Sequence, residues 1–210
     1  MTWGRAMHEF VEQLAKDERL RSLSFQNVKV VPFLGTPGAI QSDSWNTTTY
    51  SNTLATKVGN LLHCASYNLS APMYVEGTKE KELIESIDEI AKVLHMAETA
   101  DIALIGIGSM QDDSSIIKAE IRTKEEYKEL VRKGAVGEIV GRIYDKNGQT
   151  VDEDLKRKMV GISLDKIAKI PVRVGMSYGK DKIEAIKGAI AGGLVNVLVT
   201  DVPTAELLLK

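Results

Sequence analysis

The stretch that most constrains this chain is Ile102-Ala-Leu-Ile-Gly-Ile107, an apolar run with no polar alternation. A strand that is apolar on both faces has to be covered on both, which is the signature of a parallel sheet between helices. The run then breaks into Gly106, Gly108, Ser109 and Gln111. Glycines at the carboxyl end of such a strand let the backbone pass close to a neighbour, and small ligands bind at that end of α/β sheets. A tight strand-to-helix turn would use the same glycines, and this stretch alone does not separate the two readings.

The rest of the chain repeats the alternation. Residues 4–20 place Met7, Phe10, Val11 and Leu14 on one helical face. Residues 28–35 read as a strand ending at Gly35, with a loop at Thr36-Pro37-Gly38. Helical spacing returns over 45–60 at Tyr50, Leu54 and Val58, where the threonines suit a first turn. Residues 71–75 read as a short strand and 79–100 as one amphipathic helix. Residues 123–145 read as a helix interrupted near Gly134 that leads into a strand, and 146–148 as a turn. Strands at 171–179 and 195–201 alternate with helices at 180–193 and 204–210. The pattern predicts an α/β fold: a largely parallel sheet covered by helices on both faces, in one domain over residues 1–210.

Composition excludes several classes. Of 210 residues, 43% are hydrophobic and 27% charged, ordinary for a globular chain. The net charge of -2 supplies no broad basic field for nucleic acid. Cys64 is the single cysteine, which rules out an intrachain disulfide and a cysteine zinc site, and it reads as a small core residue. His8, His63 and His95 lie far apart without metal spacing, so no metal is expected. No apolar run reaches the ~18 residues of a membrane span and no signal-peptide pattern opens the chain, so a cytoplasmic protein without membrane contact is expected.

Four strand ends share one composition: Gly35-Thr36-Pro37-Gly38, Gly106-Ile107-Gly108-Ser109, Ser177-Tyr178-Gly179 and Thr200-Asp201. In a parallel sheet they fall on one edge, and their convergence favours a ligand pocket over four unrelated turns. Gly179 precedes a helix with Lys182 in its first turn, where a lysine opposes the helix dipole unless an anion is bound. A solvated surface lysine is the plainer alternative. Thr2, Trp3 and Gly4 open another helix with Arg5 in its first turn. Asp145, where a strand meets a turn, either accepts from ligand hydroxyls or starts the turn, and its spacing leaves both open. "GIGSM" lacks the third glycine of the dinucleotide fingerprint, and no phosphate-loop or nucleophile-elbow motif is found, so no cofactor is expected.

The stretches "TWGRAMHE", "ADIALIGIGSM", "GAVGEIVGRIYDKNGQTV", "VGISLDKI" and "GKDKIEAIKGAIAGGLVNVLVTDVPTAELLL" together resemble the sugar-binding, or effector-binding, domain of SorC-type bacterial transcriptional regulators. The resemblance implies a fold related to ribose-5-phosphate isomerase and glucosamine-6-phosphate deaminase. It also implies a phosphorylated sugar held non-covalently, no catalysis, and a homo-dimer or tetramer. By position, Gly35, Thr36, Gly38, Gly108, Gln111, Asp145 and Lys182 would line the pocket, with Lys182 facing phosphate. Thr2, Gly4 and Arg5 fall on the stretch equivalent to the phosphate-binding turn of the related enzymes. Family members carry an N-terminal helix-turn-helix domain and a strand ahead of the "WGR" stretch, at which this chain begins. DNA binding is therefore expected of that other domain, and an open sheet edge or a gap under the first helix is expected here. Leu34 stands where one branch of the family forms an imine on lysine, so no covalent sugar is expected. The rival implied by the same fold is a sugar-phosphate isomerase or deaminase. It would need a carboxylate base, for which Asp145 and Asp201 are the candidates.

Overall fold

The computed structural model describes residues 1–37 and 47–210. After an extended start, α1 (Arg5–Leu14) is followed by a 3₁₀ turn (Glu18–Ser22), and β1 (Lys29–Val30) is separated by α2 (Ser51–Leu62) from β2 (Ala65–Ser66). Helices α3 (Thr78–Glu85) and α4 (Asp88–Glu98) lead to β3 (Ile102–Gly106) and β4 (Gly108–Ser109). Then come α5 (Ser115–Lys118), α6 (Lys124–Arg132), β5 (Ala135–Ile139), β6 (Arg142–Asp145), α7 (Glu153–Lys158) and α8 (Leu164–Ile167). The chain ends through β7 (Val172–Met176), α9 (Ile183–Ala191), β8 (Val197–Val199) and α10 (Val202–Leu208).

The fold is α/β, with parallel strands flanked by helices. Strands β3, β7 and β8 form a parallel sheet, and β1 pairs with β2 in parallel. Part of the sheet expected to be parallel is not. Strands β4, β5 and β6 form an antiparallel unit, entered from β3 across the single residue Ile107. The stretch 135–145 folds back on itself because Val140 and Gly141 both take left-handed backbone angles (φ 55 and 68), the twist a two-residue hairpin needs.

Three other expectations change for local reasons. Residues 28–35 give only the short β1, since Pro32 lacks the N–H that would continue the ladder. The stretch beyond it is tied by single bridges, Leu34 to Gly161 and Thr36 to Pro72, and residues 71–75 likewise form bridges and not a strand. The helix expected over 79–100 breaks at Ser86 and Ile87; the Ser86 hydroxyl donates to the Leu83 carbonyl (2.7 Å) and Ile87 is extended. α6 starts in a capping box, with Thr123 and Glu126 bonded to each other's backbone N–H.

Among the described residues, α1 is packed along its buried face. Met7 and Val11 are fully buried against Leu54, Ala55 and Val58 of α2, with Leu104 and Val174 of the parallel sheet beside them. Met1 and Thr2 lie between residues 31–33 and β3. The Met1 amine donates to Val31 O (2.6 Å), Phe33 N to Met1 O (2.9 Å) and Thr2 N to Leu104 O (3.0 Å).

Candidate functional site

Because β3 and β7 run side by side in parallel, their carboxyl ends open on one edge. A cavity of about 290 Å³ sits there, lined by Trp3–Ala6, Gly106–Ser109, Asp113–Ser115, Glu138, Ser177, Tyr178, Asp181 and Lys182. That volume is near the small end of ligand pockets. The glycines at the end of β3 and the start of β4 make room for the protein's own groups. A Cβ on Gly106 would lie 3.1 Å from Trp3 O, and one on Gly108 would lie 2.8 Å from Glu138 Oε2.

Glu138 is the chemical centre of the cavity. It lies on β5, register-paired with Gly108, and is only 6% exposed. The Gly141 N–H donates to its Oε1 and the Trp3 indole donates to the carboxylate. Burial pushes its pKa up to about 7; the Gly141 bond, the Lys182 charge, Trp3 and Arg142 pull the other way. Lys182 Nζ donates to Ser109 Oγ (2.9 Å), and Ser109 Oγ donates in turn to Asp181 Oδ2 (3.1 Å). Asp181 Oδ2 is 3.8 Å from Lys182 Nζ.

The second cationic element is the start of α1. Gly4 has φ 103, and among the described residues it has open space where a side chain would be and no side chain caps the helix. Among the described residues the first-turn N–H groups of α1 therefore have no intrahelical or side-chain acceptor, an arrangement that suits an anion. Arg5 Nη2 is 2.8 Å from Asp113 Oδ2, but both side chains are largely exposed, so the pair is weak and easily exchanged. Ser114 caps α5 and receives the Tyr127 hydroxyl (2.9 Å).

The structure thus gathers Gly4, Arg5, Gly108 and Lys182 around one cavity. Thr2 lies beneath it, its Oγ1 accepting from Gly106 N (2.8 Å). Lys182 ends a 3₁₀ turn (Lys180–Lys182) ahead of α9, one step earlier than the first helical turn expected. Other residues expected at the pocket are elsewhere. Thr36 Oγ1 accepts from Asn52 Nδ2 (2.8 Å), and Gly35 packs against the carbonyls of Ala71 and Pro72. Gln111 does not line the cavity, its carbonyl accepting from Ser114 N. Gly38 lies outside the described residues. Asp145 is a turn residue: its Oδ1 accepts from Asn147 N and Gln149 N, both at 2.9 Å. Asp201 caps α10 through Thr204 N (3.0 Å). Both carboxylates weighed as catalytic bases are therefore occupied in local structure, and the buried carboxylate in the cavity is Glu138, with the half-exposed Asp113 and Asp181 beside it. Its signal was a lone acid inside the apolar stretch "AVGEIVG". Cys64 is half-buried in the turn after α2, outside the core. Among the described residues no group of three His, Cys, Asp or Glu side chains is placed to hold a metal.

Over residues 1–210 the chain matches the sugar-binding domain family (Sugar-bind). It is 35% identical over 159 residues to the transcriptional regulator LsrR of Escherichia coli O9:H4 (strain HS), a match covering 74% of this chain and 50% of that protein. It is 30% identical over 211 aligned positions to the sorbitol operon regulator of Klebsiella pneumoniae, covering all of this chain and 64% of that one. The solved full-length sorbitol operon regulator SorC from Klebsiella pneumoniae superposes with a TM-score of 0.85 at 29% identity, over 100% of this chain and 65% of the other. A DeoR family transcriptional regulator from Listeria monocytogenes shares the fold, with a TM-score of 0.85 at 24% identity over 99% of this chain and 77% of that one. The chain spans about half the length of LsrR.

Proposed function

The chain belongs to the sugar-binding domain family found in SorC- and DeoR-type transcriptional regulators, and from that premise we propose that residues 1–210 form one effector-sensing unit. It binds a phosphorylated sugar reversibly and non-covalently, without turning it over, and its occupancy is relayed through contacts between copies to a DNA-binding part of the regulator. One observation carries this reading. The cavity at the ends of β3 and β7 is faced by Lys182, Arg5 and the uncapped start of α1, three features that favour a phosphate. Ser109, Ser115 and Glu138 supply the hydrogen-bonding groups that sugar hydroxyls need. In this reading the unit itself contacts no DNA, and its regulator works in the cytoplasm as a dimer or tetramer. No helix among the described residues is long and apolar enough to cross a membrane.

A second reading is favoured by one residue. Glu138, a buried carboxylate whose pKa is raised to about 7, has the character of a general base, so an isomerase of the same fold is the rival. The two are separated by product formation from ribose 5-phosphate or glucosamine 6-phosphate, which the sensing reading expects to stay at background. Steady turnover abolished by Glu138→Gln would establish the rival.

Thermal shift with mono- and diphosphorylated sugars, including ribose 5-phosphate, glucose 6-phosphate and fructose 1,6-bisphosphate, tests binding. A ligand at 100 times its Kd should stabilise the fold by about 2.7 kcal/mol. Lys182→Ala should erase most of that shift, since a charge-assisted hydrogen bond is worth about 1.5–3 kcal/mol. A variant that keeps the full shift places the phosphate away from Lys182.

A further inference from the structure

The cavity holds more carboxylates than cations. Arg5 and Lys182 face it together with Asp113, Asp181 and Glu138. Arg5 and Lys182 already lie beside acids, at 2.8 Å from Asp113 and 3.8 Å from Asp181. Those two acids are half-exposed and can turn outward into water when a ligand arrives. Glu138 has no such exit. It is buried, and Gly141 N–H and the Trp3 indole hold it in place.

An anion seated on Lys182 therefore brings a like charge against a carboxylate that cannot leave. For a buried carboxylate that repulsion is relieved by protonation, which also turns it from a pure acceptor into a donor for a ligand oxygen. We propose that Glu138 sets the charge the cavity accepts: an anionic sugar enters with a proton on Glu138, whereas a neutral sugar is taken with Glu138 in either state. The proposal rests on the reading of this cavity as the effector site.

The groups around Glu138 agree with such a role. Lys182 approaches from the 3₁₀ turn, the Trp3 indole from the chain start and the Gly141 N–H from the hairpin turn, and all favour the ionised form. Arg142, at the start of β6, adds its charge from behind, but its Nη1 and Nη2 groups donate to the carbonyls of Val140, Met159 and Gly161. The hydroxyls of Tyr127 on α6 and Tyr144 on β6 lie within electrostatic reach and bring no cation. Asp113 and Asp181 add negative charge at the mouth. The balance leaves the carboxyl near 7, so its proton is exchangeable at neutral pH. A bound phosphate then removes part of the Lys182 attraction and adds repulsion, and both move the carboxyl further up.

Titration calorimetry with ribose 5-phosphate, glucose 6-phosphate and fructose 1,6-bisphosphate between pH 7 and 9 tests this. Phosphate monoesters keep their charge there, their second pKa being about 6. Affinity should weaken toward tenfold per pH unit as one proton has to be taken up. The heats in buffers of different ionisation enthalpy should count about one proton bound per ligand at pH 8. Glu138→Gln should bind with a flat pH profile and no proton uptake. Wild-type protein that binds these phosphates at pH 8 without taking up a proton overturns the proposal, with no variant required. So does a Glu138→Gln protein that keeps the slope. If none of the three, and no other sugar phosphate of the thermal panel, binds even at pH 6, the effector reading fails and this proposal falls with it. Binding without proton uptake removes this proposal alone.

Discussion

At Glu138 the same burial that shapes the cavity has a consequence for stability. Its folded pKa, about 7, stands above the ordinary glutamate value of 4.5. A raised carboxyl favours folding only while it is protonated: the benefit is complete below about 4.5 and is lost as pH climbs through 7. At pH 8 the ionised group costs on the order of 3 kcal/mol, at 1.36 kcal/mol per pKa unit. Glu138→Gln should therefore gain melting temperature relative to wild type as pH rises from 5 to 8, and a gap that stays constant would show the carboxyl to be unperturbed. The cationic residues of the site were legible in the sequence because charge at a helix start is a local anomaly, seen at Arg5 and Lys182 without knowing the fold. Glu138 was not, because its burial depends on β4, Trp3 and the hairpin turn meeting around it. Asp145 shows the converse: its local role as a turn starter, one of two readings left open, is the one its bonds to Asn147 and Gln149 support.

Among elements, the β5–β6 hairpin links the site to the rest of the fold. Gly141 has φ 68, and a side chain there would collide with the Met159 methyl. Its N–H also holds Glu138. Gly141→Ala should destabilise by about 1–3 kcal/mol through strain and overpacking, a fall in Tm of roughly 2–4 °C per kcal/mol at this size. It should weaken sugar-phosphate binding at the same time. A variant that loses neither would mean that the turn does not position Glu138. His63 ends α2 in a left-handed conformation (φ 50) and is exposed. His63→Gly should raise stability by up to about 1 kcal/mol, as glycine suits that position. Unchanged or lower stability in chemical denaturation would count against it. α1, α6 and α9 were readable from the helical pattern of their sequences. The hairpin was not, because "AVGEIVGRIYD" is apolar enough to pass for one strand and the reversal depends on Val140 accepting a positive φ. The break between α3 and α4 was hidden in the same way, since Ser86 ends the helix by a bond that periodicity does not report.

For the whole molecule, the opening run of β3 gave the class of fold, and the resemblance carried by the quoted motifs matches the family membership found. What neither conveyed is that the sheet changes character at Ile107, from parallel to antiparallel, which brings β5 and its carboxylate to the edge where β3 and β7 end. If copies of the unit transmit occupancy to a two-fold DNA site, the chain should have the mass of a dimer or tetramer in solution at tens of micromolar. A monomeric mass there would contradict that part of the reading. The central claim, that a sugar phosphate binds at this cavity, has a reporter already in place: Trp3 lines the cavity, and the only other tryptophan is Trp45. In a Trp45→Phe protein, the Trp3 indole N–H resonance, titrated with the sugar phosphate that gives the largest thermal shift, should move and saturate at the calorimetric Kd. Saturable binding by calorimetry with the Trp3 resonance unmoved would contradict the account.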